Sequence, residues 1–168
     1  MYNYEDQQFI QMIEPYINDS RYQELKNCKH HGIQRYEHSI RVAYYTYKIS
    51  KMFHLRVEEA TIGALLHDFF TDEVKEKNGI ERLTLHPIIA SQNAKEVFHI
   101  SSFQEDMIRT HMFPITLEIP KSIEGWIVDL VDDVASVYER IYSTCFFFYS
   151  GFSYSFVSCS RFLGVNFA

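Results

Sequence analysis

The stretch ATIGALLHDFF, residues 60–70, decides how the rest of the sequence is interpreted. Its apolar residues follow helical spacing, which predicts a helix over residues 57–70 with His67 near its buried end. An imidazole and a carboxylate on consecutive residues, His67 and Asp68, can bind one metal ion together. The pair is a weak signal on its own, because any histidine can precede an aspartate by chance.

Metal-ligating side chains recur far from this pair, on other predicted helices. They are His38, His86, His111 and Asp132. Each has an ordinary structural interpretation, since a histidine on an apolar helix face is usually a hydrogen-bonded core or boundary residue. Together with His67 and Asp68, however, they make four histidines and two aspartates that could converge on one metal site.

Three aspartates lie close together in the last predicted helix, and a helix turns about 100° per residue, so they cannot all face the core. Asp129 and Asp133 share a side at a spacing of four, where like charges repel unless solvent screens them. We therefore expect these two to face water and Asp132 to face inward. The predicted buried stripe of this helix is Ile127, Leu130, Val131, Val134 and Val137.

A site built from these residues suits a divalent ion with open coordination positions. The primary ligands are expected to be His38, His67, Asp68 and Asp132. Two imidazoles and two carboxylates would fill four of six octahedral positions and leave two open for water and substrate. This favours Mn²⁺, Fe²⁺, Co²⁺ or Mg²⁺; Zn²⁺, which prefers a closed tetrahedral site, is a less favoured candidate. His86 and His111 could hold a second ion, so one or two ions per chain are expected. Phosphoester or phosphoanhydride hydrolysis is the reaction that this set serves most directly, with His67 and Asp68 at its catalytic centre.

Composition and periodicity predict an all-α fold, a compact single-domain helical bundle. The chain has 168 residues, 46% of them hydrophobic, which is enough for one domain with its own core. Helical periodicity or capping signals mark six segments, and no useful run of alternating residues marks a strand. The predicted segments are 4–13, 20–29, 36–53, 57–70, 102–110 and 122–141.

Local signals make these helix predictions more specific. Residues 72–85 contain Asn78-Gly79 and mixed charge, and are predicted to form a loop. His86-Pro87 then suits a helix start, because proline is tolerated in the first turn. Ser102 and Glu105 have the spacing of a capping box. The three-and-four spacing of residues 36–53 predicts one apolar face made of His38, Val42, Tyr45, Ile49 and Met52.

Charge and cysteine content narrow the classes of function. The formal net charge is −6 with no long Lys/Arg block, which disfavours binding to nucleic-acid polymers and anionic membranes. A small phosphorylated substrate remains compatible, because metal ions can supply the local positive charge. The three cysteines match no CxxC spacing and the N-terminus lacks a secretory signal, so reduced thiols and a cytoplasmic location are expected.

Residues 141–160 differ in kind from the preceding sequence, because none of them is charged. Their length would suit a membrane span of about 20 residues, but Ser, Thr and Tyr recur through them and Gly151 interrupts them. Packing against the helical body or against a second subunit is the favoured interpretation. A homodimer formed through this tail is therefore one expected arrangement.

The spacing of a histidine, a His-Asp pair and a distant aspartate resembles the HD-domain superfamily of metal-dependent phosphohydrolases. The flanking residues resemble those of a group of small HD proteins found in Firmicutes. The matching stretches are HHG (30–32), YEHSIRVAYYTYKIS (36–50), GALLHDFF (63–70), HPIIASQNAKEVF (86–98), THMFPIT (110–116) and LVDDVAS (130–136).

This resemblance implies an all-helical fold and a ligand set at His38, His67, Asp68 and Asp132. His86 and His111 match positions that complete a two-metal site in some branches of the superfamily. The extent of the resemblance divides the chain into an N-terminal helical segment (1–27), an HD domain (28–140) and a tail (141–168) that the resemblance does not cover.

Three hypotheses of function remain open at this point. The first is a metal-dependent phosphohydrolase acting on a small nucleotide or a related phosphorylated metabolite, with Arg35, Arg41 or Lys75 steadying negative charge. The second is a non-catalytic HD module that binds a nucleotide or a protein partner for regulation, although the intact ligand set argues against a decayed site. The third is a tail-mediated interaction protein or membrane-associated protein whose helical body is incidental.

Overall fold

The computed structural model describes residues 6–30, 33–71 and 78–162, with side chains described for 6–28, 33–71 and 78–145. Within these ranges the chain forms seven α-helices, one 3₁₀ helix and one pair of two-residue antiparallel strands, which confirms the predicted all-α class. The helices are α1 (Gln7–Ile17), α2 (Ser20–Gln23), the 3₁₀ helix (Glu24–Asn27), α3 (Arg35–Met52), α4 (Val57–Leu66), α5 (Gly79–Phe98), α6 (Ser102–Thr110) and α7 (Ile123–Phe162). The strands are β1 (Lys29–His30) and β2 (Ile33–Gln34).

The central element of the bundle is α4, which contacts α1, α3, α5, α6 and α7. Every residue from Ala60 to Leu66 is buried, so the helix is covered all round rather than along one stripe. The helix ends at Leu66, four residues earlier than predicted. His67 and Asp68 follow in a turn at its buried C-terminal end, as the sequence predicted.

A glycine lets α6 approach this central helix closely. A Cβ added at Gly63 would lie 2.7 Å from Cε and 3.4 Å from Cβ of Met107, so a larger residue would require the Met107 side chain to move. His67 follows the end of α4 and His111 follows the end of α6. The close packing at Gly63 therefore brings two histidines that are distant in sequence to the same place.

The bounds of α3 agree with the predicted helix within one residue at each end. Its buried surface differs: His38 and Val42 are buried as expected, whereas Tyr45 is 51% and Met52 64% exposed. Both α4 and α7 pack against α3, so the buried surface of α3 is broader than a single stripe and covers more than one side of the helix. The buried residues after Val42 are Ala43, Thr46, Tyr47 and Ser50.

The prediction that residues 72–85 form a loop is wrong for its last part, because α5 begins at Gly79. Residues 72–77 lie outside the described residues. The helix starts there because the side-chain oxygen of Asn78 accepts a hydrogen bond from the Glu81 amide at 2.9 Å. The Asn-Gly signal therefore marks an N-cap rather than a turn.

Two prolines lie inside helices rather than at or beyond their ends. α1 continues through Pro15 to Ile17, and Pro87 lies within α5 rather than at its start. Each proline lacks the amide that would bond four residues back, to the carbonyls of Gln11 and Leu83. Both of those residues are exposed, so water can supply the missing partner and the helix tolerates the proline.

The capping box of α6 lies one residue earlier than predicted. Ser101 Oγ accepts from the Gln104 amide at 3.2 Å, and Gln104 Oε1 accepts from the Ser101 amide at 2.9 Å. Ser102 and Glu105 are therefore the first helical turn rather than the box itself. The helix ends at Thr110, as predicted, and its last turn leads directly into the next histidine.

The last helix begins where the sequence predicted and ends much later. Ser122 Oγ accepts a hydrogen bond from the Gly125 amide at 3.0 Å and precedes the first residue of α7. The helix passes the predicted end at Ile141 and continues to Phe162. Within the described part of the chain, no helix combines the length and the apolar character required to cross a membrane.

Candidate metal centre

Six polar side chains from five parts of the fold meet beside the C-terminal end of α4. They are His38 (α3), His67 and Asp68 (after α4), His86 (α5), His111 (after α6) and Asp132 (α7). All six residues are buried. Three overlapping groups among them have possible ligand atoms within 4.8 Å of one another: His38–His67–Asp68, His67–His111–Asp132 and Asp68–His86–His111. The structure thus brings together all six residues that the sequence singled out.

Backbone carbonyls orient three of the four imidazole rings. Nδ1 of His67 lies 2.7 Å from the Ala64 oxygen, and Nδ1 of His111 lies 2.7 Å from the Ile108 oxygen. His86 Nδ1 makes the same kind of contact with a carbonyl one turn earlier, at 2.9 Å. A carbonyl only accepts, so each Nδ1 donates its hydrogen and the neutral ring keeps a lone pair on Nε2. These three Nε2 atoms point into the cluster.

The facing rings of His86 and His111 show most directly that the residues fit a cation. Their Nε2 atoms lie 3.0 Å apart, and Asp68 Oδ1 lies 3.5 Å from the first and 4.0 Å from the second. Two lone pairs and a carboxylate oxygen repel one another at these distances unless a positive charge lies between them. A divalent ion bound by both imidazoles and the carboxylate would remove that repulsion.

The other half of the cluster combines two imidazoles with Asp132. Its Oδ1 lies 2.9 Å from Nε2 of His38 and 3.5 Å from Nε2 of His67. The buried His67 Nε2 has no hydrogen-bond partner, which is what an imidazole poised for a metal ion would show. Burial alone would raise the pKa of Asp132, but His67 and His38 hold it well below the usual range of an aspartate.

Burial and mutual contact also set the charge of the other rings. Burial, with the neighbouring His67 and His86, lowers the pKa of His111 to about 3. Burial likewise lowers the pKa of His86. For His67 burial acts in the same direction, but Asp68 and Asp132 outweigh it and raise the pKa. His86 and His111 are therefore neutral near pH 7, the form in which an imidazole binds a metal ion.

The cationic residues predicted to contact the substrate lie in different environments. Arg35 is buried, with its guanidinium 3.7 Å from the centre of the Phe70 ring and Nε 3.6 Å from Asp68 Oδ2. Arg41 is also buried and forms an ion pair with a carboxylate of α7. Lys75 lies outside the described residues. A role of any of them in substrate binding stays a prediction.

Glu139, which the sequence reasoning missed, also reaches this cluster. It is 2% exposed, its Oε2 lies 2.9 Å from His38 Nδ1, and it forms an ion pair with Arg41. One signal could have found it. A residue seven positions after Asp132 occupies nearly the same side of a helix, so a buried Asp132 implies a buried Glu139.

The expectation that Asp129 faces water is wrong. It is 7% exposed and its Oδ1 accepts a hydrogen bond from the Phe113 amide at 3.1 Å, because the segment after α6 covers this side of α7. Asp133 is exposed, as expected. Burial raises the pKa of Asp129 to about 7, and the nearby Asp133 contributes in the same direction.

We expect Asp129→Asn to stabilise the metal-free protein, and more at pH 8 than at pH 5. A carboxyl whose pKa rises from 3.8 to about 7 on folding destabilises the folded state increasingly as pH rises between these values. Asparagine removes the charge and can still accept from the Phe113 amide. Thermal melts with a chelator should show a gain of a few degrees at pH 8, at about 2–4 °C per kcal/mol. Equal gains at both pH values would contradict this account.

Comparison with known proteins identifies one family. The family model described as the HD domain matches residues 35–136, which is more than half of the chain and includes all six clustered residues. The match ends three residues before Glu139. No curated protein and no solved structure matches the chain.

Proposed function

Since the chain belongs to the HD-domain family, whose members are generally metal-dependent phosphohydrolases, we propose that it hydrolyses a small phosphorylated substrate. The bond cleaved is a phosphoester or phosphoanhydride of a small nucleotide or a related metabolite. The observation that carries this proposal is the pair of His86 and His111 Nε2 atoms, 3.0 Å apart beside Asp68. Such a buried arrangement is costly without a cation, and a divalent cation is what phosphoryl transfer needs.

In this proposal the cluster holds one or two divalent ions, with Mn²⁺, Fe²⁺, Co²⁺ and Mg²⁺ preferred over Zn²⁺. When bound, the metal supplies an activated water and withdraws charge from a phosphoryl oxygen. The residues of the primary position are His38, His67, Asp68 and Asp132. His86 and His111 serve a second position, and Asp68 faces both positions because it belongs to two of the three ligand groups.

The chain's own residues orient the ligands and limit access to them. The hydrogen bonds from Nδ1 to backbone carbonyls fix the rings of His67, His86 and His111 before anything binds. Asp132 and His86 have the most exposed side chains of the six ligands, at 10% and 8%, so a substrate oxygen approaches past these two residues.

Metal analysis followed by a phosphate-release assay tests the proposed function. The full chain, purified without chelator, should contain Mn, Fe or Co and release phosphate from at least one member of a panel. The panel contains nucleoside mono-, di- and triphosphates and dinucleoside polyphosphates, with a chelated sample as the control. Absence of both metal and phosphate release would contradict the proposal. Nucleotide binding without hydrolysis would instead support the non-catalytic HD module.

If the cluster holds two ions, we expect His86→Ala and His111→Ala each to lower the metal content of the protein from two ions towards one. Each substitution removes one of the two facing Nε2 atoms but leaves His38, His67 and Asp132 in place. Elemental analysis after dialysis against limiting metal measures the change. A wild-type protein that never holds more than one ion would rule out the two-metal version and leave these histidines as phosphate contacts.

A further inference from the structure

Two acidic residues of α7 reach the same histidine from opposite sides of its ring. Asp132 and Glu139 are seven residues apart, so they lie about two turns apart on nearly the same side of the helix. Asp132 Oδ1 lies 2.9 Å from His38 Nε2, and Glu139 Oε2 lies 2.9 Å from His38 Nδ1. The ring of His38 is therefore held between two carboxylates of a single helix.

The hydrogen on the ring follows from this arrangement. An ionised carboxylate only accepts hydrogen bonds, so Nδ1 of His38 donates its hydrogen to Glu139. Asp132 Oδ1 lies equally close to Nε2, so both ring nitrogens face a carboxylate. A metal ion bound among His67, Asp68 and Asp132 would take the lone pair of Nε2 and leave the Nδ1 hydrogen to Glu139. A carboxylate behind a metal-binding imidazole fixes the tautomer and the ring orientation, and makes the imidazole a stronger ligand.

Arg41 makes the burial of Glu139 tolerable. It lies three residues after His38, on the same side of α3, and its Nη1 forms an ion pair with Oε1 of Glu139. Arg41 is 6% exposed and Glu139 is 2% exposed. A carboxylate buried this deeply would be costly without a cation beside it. The ion pair offsets that cost and keeps Glu139 charged behind His38.

We propose that Glu139 is a positioning residue for His38, holding the ring in the tautomer that offers Nε2 to the metal ion. In this arrangement Arg41 neutralises Glu139 instead of contacting a substrate phosphate. The inference rests on the proposed function, because it assigns His38 to the metal site. A purely structural ion pair between Glu139 and Arg41 would affect stability but would leave the tautomer of His38 unchanged.

The test compares two buried glutamates of the same helix. Glu139→Gln keeps the shape and an accepting oxygen but removes the charge behind His38. Glu124→Gln is the matched control, since Glu124 is 7% exposed on α7 and accepts from the Arg56 amide at 3.1 Å, away from the cluster. The double variant Glu139→Gln/Arg41→Met is measured alongside, because the single variant leaves a buried guanidinium that could prevent folding.

Two properties of the full chain are measured after circular dichroism has shown native helicity. The first is the tautomer of His38 in metal-free protein, from long-range ¹H–¹⁵N correlations assigned by their loss in His38→Gln. The second is the affinity for Co²⁺, from its visible absorption. We expect Glu139→Gln to populate the Nε2–H tautomer and to weaken Co²⁺ binding by about 10–100-fold. Glu124→Gln should keep the wild-type tautomer and an affinity within about twofold of wild type.

Each outcome decides the proposal. Unchanged tautomer and affinity in folded Glu139→Gln, or in the double variant if the single one does not fold, overturns the role of Glu139. An equal loss of affinity in Glu124→Gln also overturns it, because the effect would then be general. If the wild-type chain binds no Co²⁺ at all, the metal site of the proposed function fails. The tautomer measurement still decides whether Glu139 positions His38.

Discussion

Replacing His67 or Asp68 with alanine is expected to abolish metal binding and to lower phosphohydrolase activity by about a thousandfold or more. The two residues follow the central helix directly, and both belong to two of the three possible ligand groups. Losing either one therefore affects both halves of the cluster at once. A bound metal contributes several kcal/mol to catalysis of phosphoryl transfer, and each 1.36 kcal/mol is about a tenfold change in rate.

The fold should survive these substitutions with modest loss. His67 Nε2 has no hydrogen-bond partner, and Asp68 lies close to the His67 and His86 rings and 3.6 Å from Arg35 Nε, so alanine removes a few polar contacts along with some packing. His99→Asn is the matched control, because His99 is exposed at the left-handed end of α5, a conformation that asparagine tolerates. Elemental analysis and circular dichroism measure the two effects. Full metal content in either alanine variant would show that the site is misplaced.

The sequence predicted the place of the His-Asp pair because apolar burial alone determines it. The run from Ala60 to Leu66 has no charged residue, so the helix that it forms must be buried wherever the other helices lie. Whatever follows such a helix is also held near the core. The other four candidates were found as metal-ligating residue types at or near other predicted helices, not from burial. Their convergence depended on packing that periodicity does not encode, such as the contact at Gly63.

Helix boundaries were predicted less well, for a local reason. Asn78-Gly79 and Pro87 are strong turn signals in isolation, yet α5 runs from Gly79 through Pro87 to Phe98. The Asn78 side chain caps the helix, and the carbonyl that Pro87 leaves unbonded belongs to the exposed Leu83. Whether such a residue breaks a helix depends on solvent access to its neighbours, which is a property of the folded chain.

Asp132 was correctly predicted to face inward, although the apolar stripe predicted for α7 was partly wrong. The predicted stripe included Leu130, Val134 and Val137, which are 62%, 61% and 57% exposed. Val131 is buried as predicted, and the buried side also carries Val128, Asp132, Ala135 and Glu139. Apolar residues on both sides of a helix make the direction of its core ambiguous from sequence alone. Glu139 could have been found from the inward direction already predicted for Asp132, because the two residues are seven positions apart on one helix.

The second large expected effect comes from substituting Asp132, the carboxylate of α7 that is predicted to bind the metal ion. Asp132→Asn should lower metal affinity by at least about tenfold and activity by at least about a hundredfold, because the loss of charge weakens a ligand that faces both His38 and His67. Asp133→Asn should change both by less than about twofold, since Asp133 is exposed one residue away. Metal titration and initial rates of the two variants measure the difference. Activity that survives Asp132→Asn but disappears with Asp133→Asn or Asp129→Asn would assign the ligand to a different side of α7.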